Sequence, residues 1–253
     1  MLLPEAAMET LSMLYLGFAW MFGGFINGVT SLGGNLVGVP LSMLVMDAKT
    51  AVVFGCMTGL FVNGTVSMLY HKAIPWEEFF LLVAGCVAGA PLGLMLLHIV
   101  PVSALLLATS GVLIAFLAWQ FFSRRMSKSF TCPRWAALPV GIVTGMLFAS
   151  TSMAGPVLAL YAFMRKWTKE MTLATPNLIA TANYLYATAL QWNDGLCTPV
   201  MWHALCYTAP GAIFGVLLSV PLLRRVDAQL FRRLLLSMVA CSAAIMFYRG
   251  ITG

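Results

Sequence analysis

Two short segments hold the residues best suited to bind a ligand. Ser31-Leu32-Gly33-Gly34-Asn35 and Ser152-Met153-Ala154-Gly155-Pro156 each place helix breakers directly ahead of an apolar run. A helix starting at about Asn35, and another at about Pro156, would each present unpaired backbone N–H groups and a partial positive charge. Glycine at 33, 34 and 155 lets a ligand approach the backbone, and Pro156 suits a first helical position because it needs no N–H partner there. Two such starts facing one another make an anion seat without any cationic side chain. Side-chain donors surround them: Asn27, Thr30, Ser31 and Asn35 at the first break, Thr151 and Ser152 at the second. Asn63 and Asn183, each in a following apolar segment, add two amides, with Thr65, Asn177 and Gln191 as further candidates. An amide in lipid is costly unless paired, so these residues are expected to face the protein interior. Helix–helix hydrogen bonding is their competing role.

The chain offers little that could perform catalysis. It has no HExxH, no GxSxG and no pair of membrane carboxylates, so an intramembrane enzyme has nothing to stand on. Its six cysteines show no CxxC or Cys/His spacing; no metal and no cofactor are expected. His71 and His98 fall near segment ends, His203 lies a turn into its segment as a candidate for proton coupling, and Asp194 falls in a loop.

The elements that must position the breaks are membrane helices. Apolar residues make up 61% of the 253 and charged residues 9%, whereas a soluble domain carries roughly a quarter charged residues. Apolar runs of about 20 residues recur along the chain, the length that spans hydrocarbon. Glu5 and Glu9 have the wrong sign for the start of an export signal, so the first run is expected to remain as a helix. The net charge of +6 comes from short basic clusters between apolar runs, a topology signal rather than a nucleic-acid surface.

An internal repeat organises these runs. A shift of 121 places Gly24 on Gly145 and Gly34 on Gly155; a shift of 122 places Gly89 and Gly93 on Gly211 and Gly215. The expected elements are 8–30, 35–46, 48–70, 76–98 and 102–122, then 136–150, 156–164, 170–191, 199–223 and 227–249. The organisation is thus a first transmembrane repeat (1–125), a basic linker (126–135) and a second repeat (136–253). The second element of each half is too short to span. If each short pair is one interrupted helix, the 14 Lys and Arg split 8 against 6 between the two sides. If each pair is a hairpin, crossing twice or dipping in and returning, they split 12 against 2, with only Lys49 and Arg249 on the minority side. The positive-inside rule selects the hairpin. Each half then crosses an odd number of times, and the second is inverted relative to the first. The expected fold is all-α and polytopic: two inverted-topology repeats, each a broken or short helix hairpin followed by three transmembrane helices. The linker would be cytoplasmic and both termini periplasmic. The glycines at 85, 89, 93, 211 and 215 recur every four residues and read as helix-packing positions.

The stretch from Gly28 to Pro40 resembles the first-repeat signature of the sulfite exporter TauE/SafE family, and Ser152 to Tyr161 resembles its second-repeat counterpart. The similarity runs from about Gly17 to Gly250. That family also includes toluenesulfonate uptake permeases. The resemblance implies a bacterial inner-membrane secondary permease for an organosulfonate, such as an aryl sulfonate, or a sulfur oxyanion. Sulfite export and an anion channel are the alternatives. By resemblance the site falls on Gly33, Gly34, Asn35, Ala154, Gly155 and Pro156. Asn35 stands where a third small glycine is usual, Ala149 stands opposite Gly28, and Ala154 replaces the usual Gly or Ser, so the chosen anion can differ from the family's. Tyr161, Tyr184, Tyr186 and Trp192 lean toward an aryl group. The implied partners are a small anion, membrane lipid, and a proton or cation as the candidate coupling ion. No Walker sequence is present to use ATP.

Overall fold

The computed structural model describes residues 5–71, 74–123, 132–225 and 227–252. Among the described residues all regular structure is helical. The first half contains α1 (Glu5–Thr30), α2 (Gly34–Ser42), α3 (Ala48–Tyr70), α4 (Trp76–Ile99) and α5 (Val102–Ser123). The second half contains α6 (Ala137–Thr151), α7 (Gly155–Met164), α8 (Lys169–Asn193), α9 (Pro199–Arg225) and α10 (Ala228–Thr252). Lys72, Arg124, Arg125 and Lys128, with most of the expected linker, lie outside the described residues.

Among the described residues four helices are long and apolar enough to cross a membrane: Leu11–Thr30, Ala48–Tyr70, Trp76–Ile99 and Pro199–Leu223. The breaks fall where glycine and serine put them. α1 ends at Thr30 and α6 at Thr151, and the next residue of each chain segment, Ser31 or Ser152, is left-handed (φ 70° and 59°). An offset of 121 carries Thr30 to Thr151, Ser31 to Ser152, Gly34 to Gly155 and Ala48 to Lys169. It also carries the N-cap of α3, Asp47, onto that of α8, Thr168, whose side chains accept from Thr50 N and Met171 N. The Thr50 hydrogen bonds hold the Asp47 carboxyl below its usual range.

Contacts at the ends of α6–α7 show what the short pair does. Arg134, just before α6, donates to Glu77 at 2.8 Å. Arg165, just after α7, donates to Glu78 at 2.5 and 3.1 Å. Consecutive residues in the first turn of α4 therefore hold both ends of the hairpin. It enters and leaves at one end of the bundle. Fifteen residues of α6 reach about 22 Å and ten of α7 about 15 Å, both short of a ~30 Å hydrocarbon core. α2 also folds back along its predecessor: Tyr15 donates to the Leu41 carbonyl (3.2 Å) and Trp20 to Ser42 Oγ (3.0 Å).

The helices pack as α1 on α9, α4 on α6, α3 on α8 and α5 on α10. Exchanging α1–α5 with α6–α10 returns the same four pairs. Close packing rests on the glycine ladders. A Cβ on Gly85, Gly89 or Gly93 would collide with the Leu138, Ile142 or Met146 carbonyl of α6, and one on Gly24 or Gly215 would meet the Ala212 or Met21 carbonyl. The ladders therefore pack helices together, as their spacing suggests. α3 and α8 form the centre, with α3 buried continuously from Ala51 to Gly59.

Candidate functional site

The two breaks meet beside the α3–α8 pair. A Cβ on Gly155 would stand 3.0 Å from the Leu32 carbonyl, so the second break lies against the first. Asn35 Nδ2 donates to Ser152 Oγ at 2.6 Å and to the Gly55 carbonyl at 2.8 Å, linking both breaks to α3. From the other side, Asn177 of α8 donates to Ser31 Oγ (2.8 Å) and to the Ser31 carbonyl (3.1 Å), and accepts from Asn27 Nδ2 (2.8 Å). Ser31 Oγ donates to the Thr172 carbonyl at 2.7 Å, and Tyr184 OH donates to the Ser152 carbonyl at 2.9 Å. Each left-handed serine is thereby tied to α8, which offsets the strain of a non-glycine residue at positive φ.

Between these contacts lies a narrow space with room for about one water. The first half contributes Asn27, Leu32, Asn35, Leu36 and Asn63 to its wall. The second contributes Phe148, Ser152, Met153, Gly155, Pro176, Ala180 and Tyr184. Amides, the hydroxyl-bearing Ser152 and Tyr184, and apolar surface line it; no Lys, Arg, Asp or Glu does.

The residues expected at the site divide into three groups. Asn27, Asn35, Asn63, Ser152 and Gly155 line the space. Gly33, Gly34, Ala154 and Pro156 form the adjoining helix starts, and Ser31 braces one of them. The others turn elsewhere. Thr30 donates to the Ile26 carbonyl and Thr151 to the Leu147 carbonyl, each one turn back in its own helix. Asn183 is buried outside the lining, and neither of its side-chain atoms meets a hydrogen-bond partner among the described residues. The start of α2 is also less bare than expected: Asn27 Oδ1 accepts the Gly34 N–H at 3.1 Å. Asn63 donates to Gly59 of its own helix at 2.8 Å.

Two contributors escaped the sequence reading, and a third was ranked too low. Gly55 and Gly59 of α3 make room for the breaks: a Cβ on Gly59 would press on the Asn35 amide at 2.9 Å, and one on Gly55 would crowd Ser152 Oγ at 2.9 Å. Their four-residue spacing was a legible sign of close approach. Asn177, only a secondary candidate, carries most of the bracing. Of the four aromatics that leaned toward an aryl substrate, only Tyr184 reaches the space. Tyr161 donates to Glu78 (3.1 Å), and Trp192 is 55% exposed, packed edge-on to Trp202.

Charged contacts gather at the two ends of the bundle. Glu78 and Arg165, their side chains 8% and 16% exposed, pair at one end with Tyr161, Trp167 Nε1 (3.2 Å) and the Cys132 carbonyl (2.9 Å from Arg165 Nη1). At the other end of α4, His98 pairs with Asp194 and lies 3.3 Å from Lys49 Nζ. The 20 residues between Glu78 and His98 separate these clusters by about 30 Å. Among the described residues no group of His, Cys, Asp and Glu could hold a metal ion.

A family model described as Sulfite exporter TauE/SafE matches residues 16–246. No curated protein and no solved structure matches.

Proposed function

The chain belongs to the sulfite exporter TauE/SafE family, and from that premise we propose that it is a secondary permease for a sulfur-containing anion, an organosulfonate or a sulfur oxyanion. It works by alternating access between two inverted halves, residues 1–125 and 136–253, around the space between the breaks. The carrying observation is the composition of that wall: three Asn amides and a Ser hydroxyl converge without a charged side chain. Such a wall can solvate sulfonyl oxygens by hydrogen bonds, while the helix starts at Gly34 and Gly155 add partial positive charge. In this conformation the donors are turned onto protein acceptors, Asn35 onto Gly55 and Asn27 onto Asn177. Substrate binding turns those donors onto anion oxygens and takes them from the Gly55 carbonyl and Asn177 Oδ1, a cost that the anion contacts must offset.

The offset of 121 in helix boundaries and the exchange-invariant packing support the inverted repeat. The 12-to-2 distribution of basic residues supports a cytoplasmic linker and periplasmic termini. A second, narrower reading is a sulfite-sized anion rather than an aryl sulfonate: the space holds about one water in this conformation and must widen for either, but least for the smaller anion.

Transport by purified protein in liposomes tests the site. Wild type should accumulate or exchange sulfite or a small sulfonate saturably, with counterflow. Asn35→Ala should raise the half-saturating concentration on the order of tenfold, the worth of one charge-assisted hydrogen bond. No transport of any sulfur anion, or undiminished affinity in Asn35→Ala, would remove the site from the mechanism.

A further inference from the structure

A second concave feature lies on the outside of the bundle, between the end of α3 and the end of α9. It is an open groove of about 540 Å³ lined by Leu69, Leu217, Val220, Pro221 and Arg225. Leu69 and Leu217 are 43% and 47% exposed, so the groove faces outward, where a membrane helix meets lipid. Its level is fixed by Lys169, whose Nζ donates to the Leu223 carbonyl at 3.0 Å. That contact sets the end of α9 beside the start of α8, at the end of the bundle that carries Arg134 and Arg165. Among the described residues, Arg225 makes no hydrogen bond or ion pair. Asp227, two residues on, accepts the Leu230 N–H at the start of α10 with its carboxylate.

We propose that this groove holds one anionic phospholipid, its phosphate on the Arg225 guanidinium and its proximal acyl chain along Val220, Pro221 and Leu217. An apolar trough alone would take any acyl chain. A guanidinium at its headgroup end, with its forked donors unmet, selects a phosphate without a compensating cation of its own. Leu217 and Arg225 are eight residues apart on one helix, about 12 Å, which matches a headgroup at the boundary and a chain running inward. Basic positions between transmembrane helices recognise anionic headgroups in this manner. The assignment rests on membrane embedding and is independent of what the internal space carries.

Native mass spectrometry of the full chain in mild detergent tests it, with phosphatidylglycerol and phosphatidylcholine supplied at equal concentration. Wild type should retain one phosphatidylglycerol on the order of tenfold in preference to phosphatidylcholine, the ratio expected of one charge-assisted contact. Arg225→Gln should lose the preference, Arg225→Lys should keep part of it, and Leu217→Trp, which fills the trough, should reduce retention of both lipids. Equal retention of the two lipids by wild type, or an unchanged preference in Arg225→Gln, overturns the proposal. So does a dimer mass that Leu217→Trp abolishes, because a second copy would then occupy the groove. If Arg225→Gln fails to fold by circular dichroism, the lysine and tryptophan variants decide the matter.

Discussion

The hairpin α6–α7 is fastened at its open end by an ion pair, whereas α1–α2 is fastened by single hydrogen bonds to backbone carbonyls. Glu78 accepts from Arg165, Tyr161 and Trp167 together, and Arg165 spends a further donor on Cys132. The corresponding end of α1–α2 has Arg249 donating to the Pro40 carbonyl at 3.3 Å and Tyr15 to Leu41 at 3.2 Å, with Leu44 and Val45 exposed beyond them. Two elements of one outline thus differ in how much must be broken to move them. The difference is energetic rather than geometric, because both breaks use a left-handed serine and a glycine start.

The largest expected effect comes from cutting the charged fastening. Glu78→Ala leaves Arg165 buried without its partner, a loss of about 3–5 kcal/mol. For a protein of this size that lowers the midpoint of thermal unfolding by on the order of 10 °C. Arg249→Ala, at the α1–α2 end, removes one long hydrogen bond to a carbonyl and should cost about 1–2 kcal/mol. Thermal denaturation of both variants in the same detergent measures the gap. Equal shifts would erase the contrast between the hairpins. Amide exchange offers a second view: α2 should exchange faster than α7, since weakly held elements open locally at lower free energy.

The helix interfaces should behave alike where the hairpins do not. Gly89→Ala drives a methyl into the Ile142 carbonyl, and Gly215→Ala drives one into the Met21 carbonyl. Each should cost about 1–3 kcal/mol by overpacking. A large difference between these two losses, read by the same unfolding assay, would mean that α4–α6 and α1–α9 are not equivalent interfaces.

Much of this was legible in the sequence because it depends on local chemistry. The expected elements 48–70, 76–98 and 156–164 fall within one residue of α3, α4 and α7, set by Asp47, Pro75 and Gly155. The breaks were visible because Gly, Ser and Pro cluster there. The partners of each donor were not visible, because they are distant in the chain. Asn35 meets Ser152 and Asn27 meets Asn177, pairs separated by 117 and 150 residues that no periodicity connects. Thr30 and Thr151 looked like site residues by position but satisfy themselves one turn back, a local option open to any helical threonine. Glu78 went unread because an acidic residue in a first helical turn has an ordinary reason to be there. Only the fold brings Arg165 to it.

The smallest effect distinguishes two caps at matching positions. Asp47 caps α3 and Thr168 caps α8, each accepting one backbone N–H. Replacing either by Ala should cost about 1 kcal/mol at neutral pH. Only Asp47 can titrate, and its hydrogen bonds with Thr50 hold its folded pKa below the usual value. A lowered folded pKa means the unfolded chain binds the proton more readily, so the Asp47 contribution is complete above the ordinary carboxylate value, near 4. It is lost as pH falls through the folded value. The penalty of Asp47→Ala should therefore shrink between pH 5 and pH 3, measured by urea unfolding in detergent, while that of Thr168→Ala stays constant. Parallel pH profiles for the two variants would show that the first cap contributes no charge-dependent stability, and that the two halves share their cap energetics as well as their cap positions.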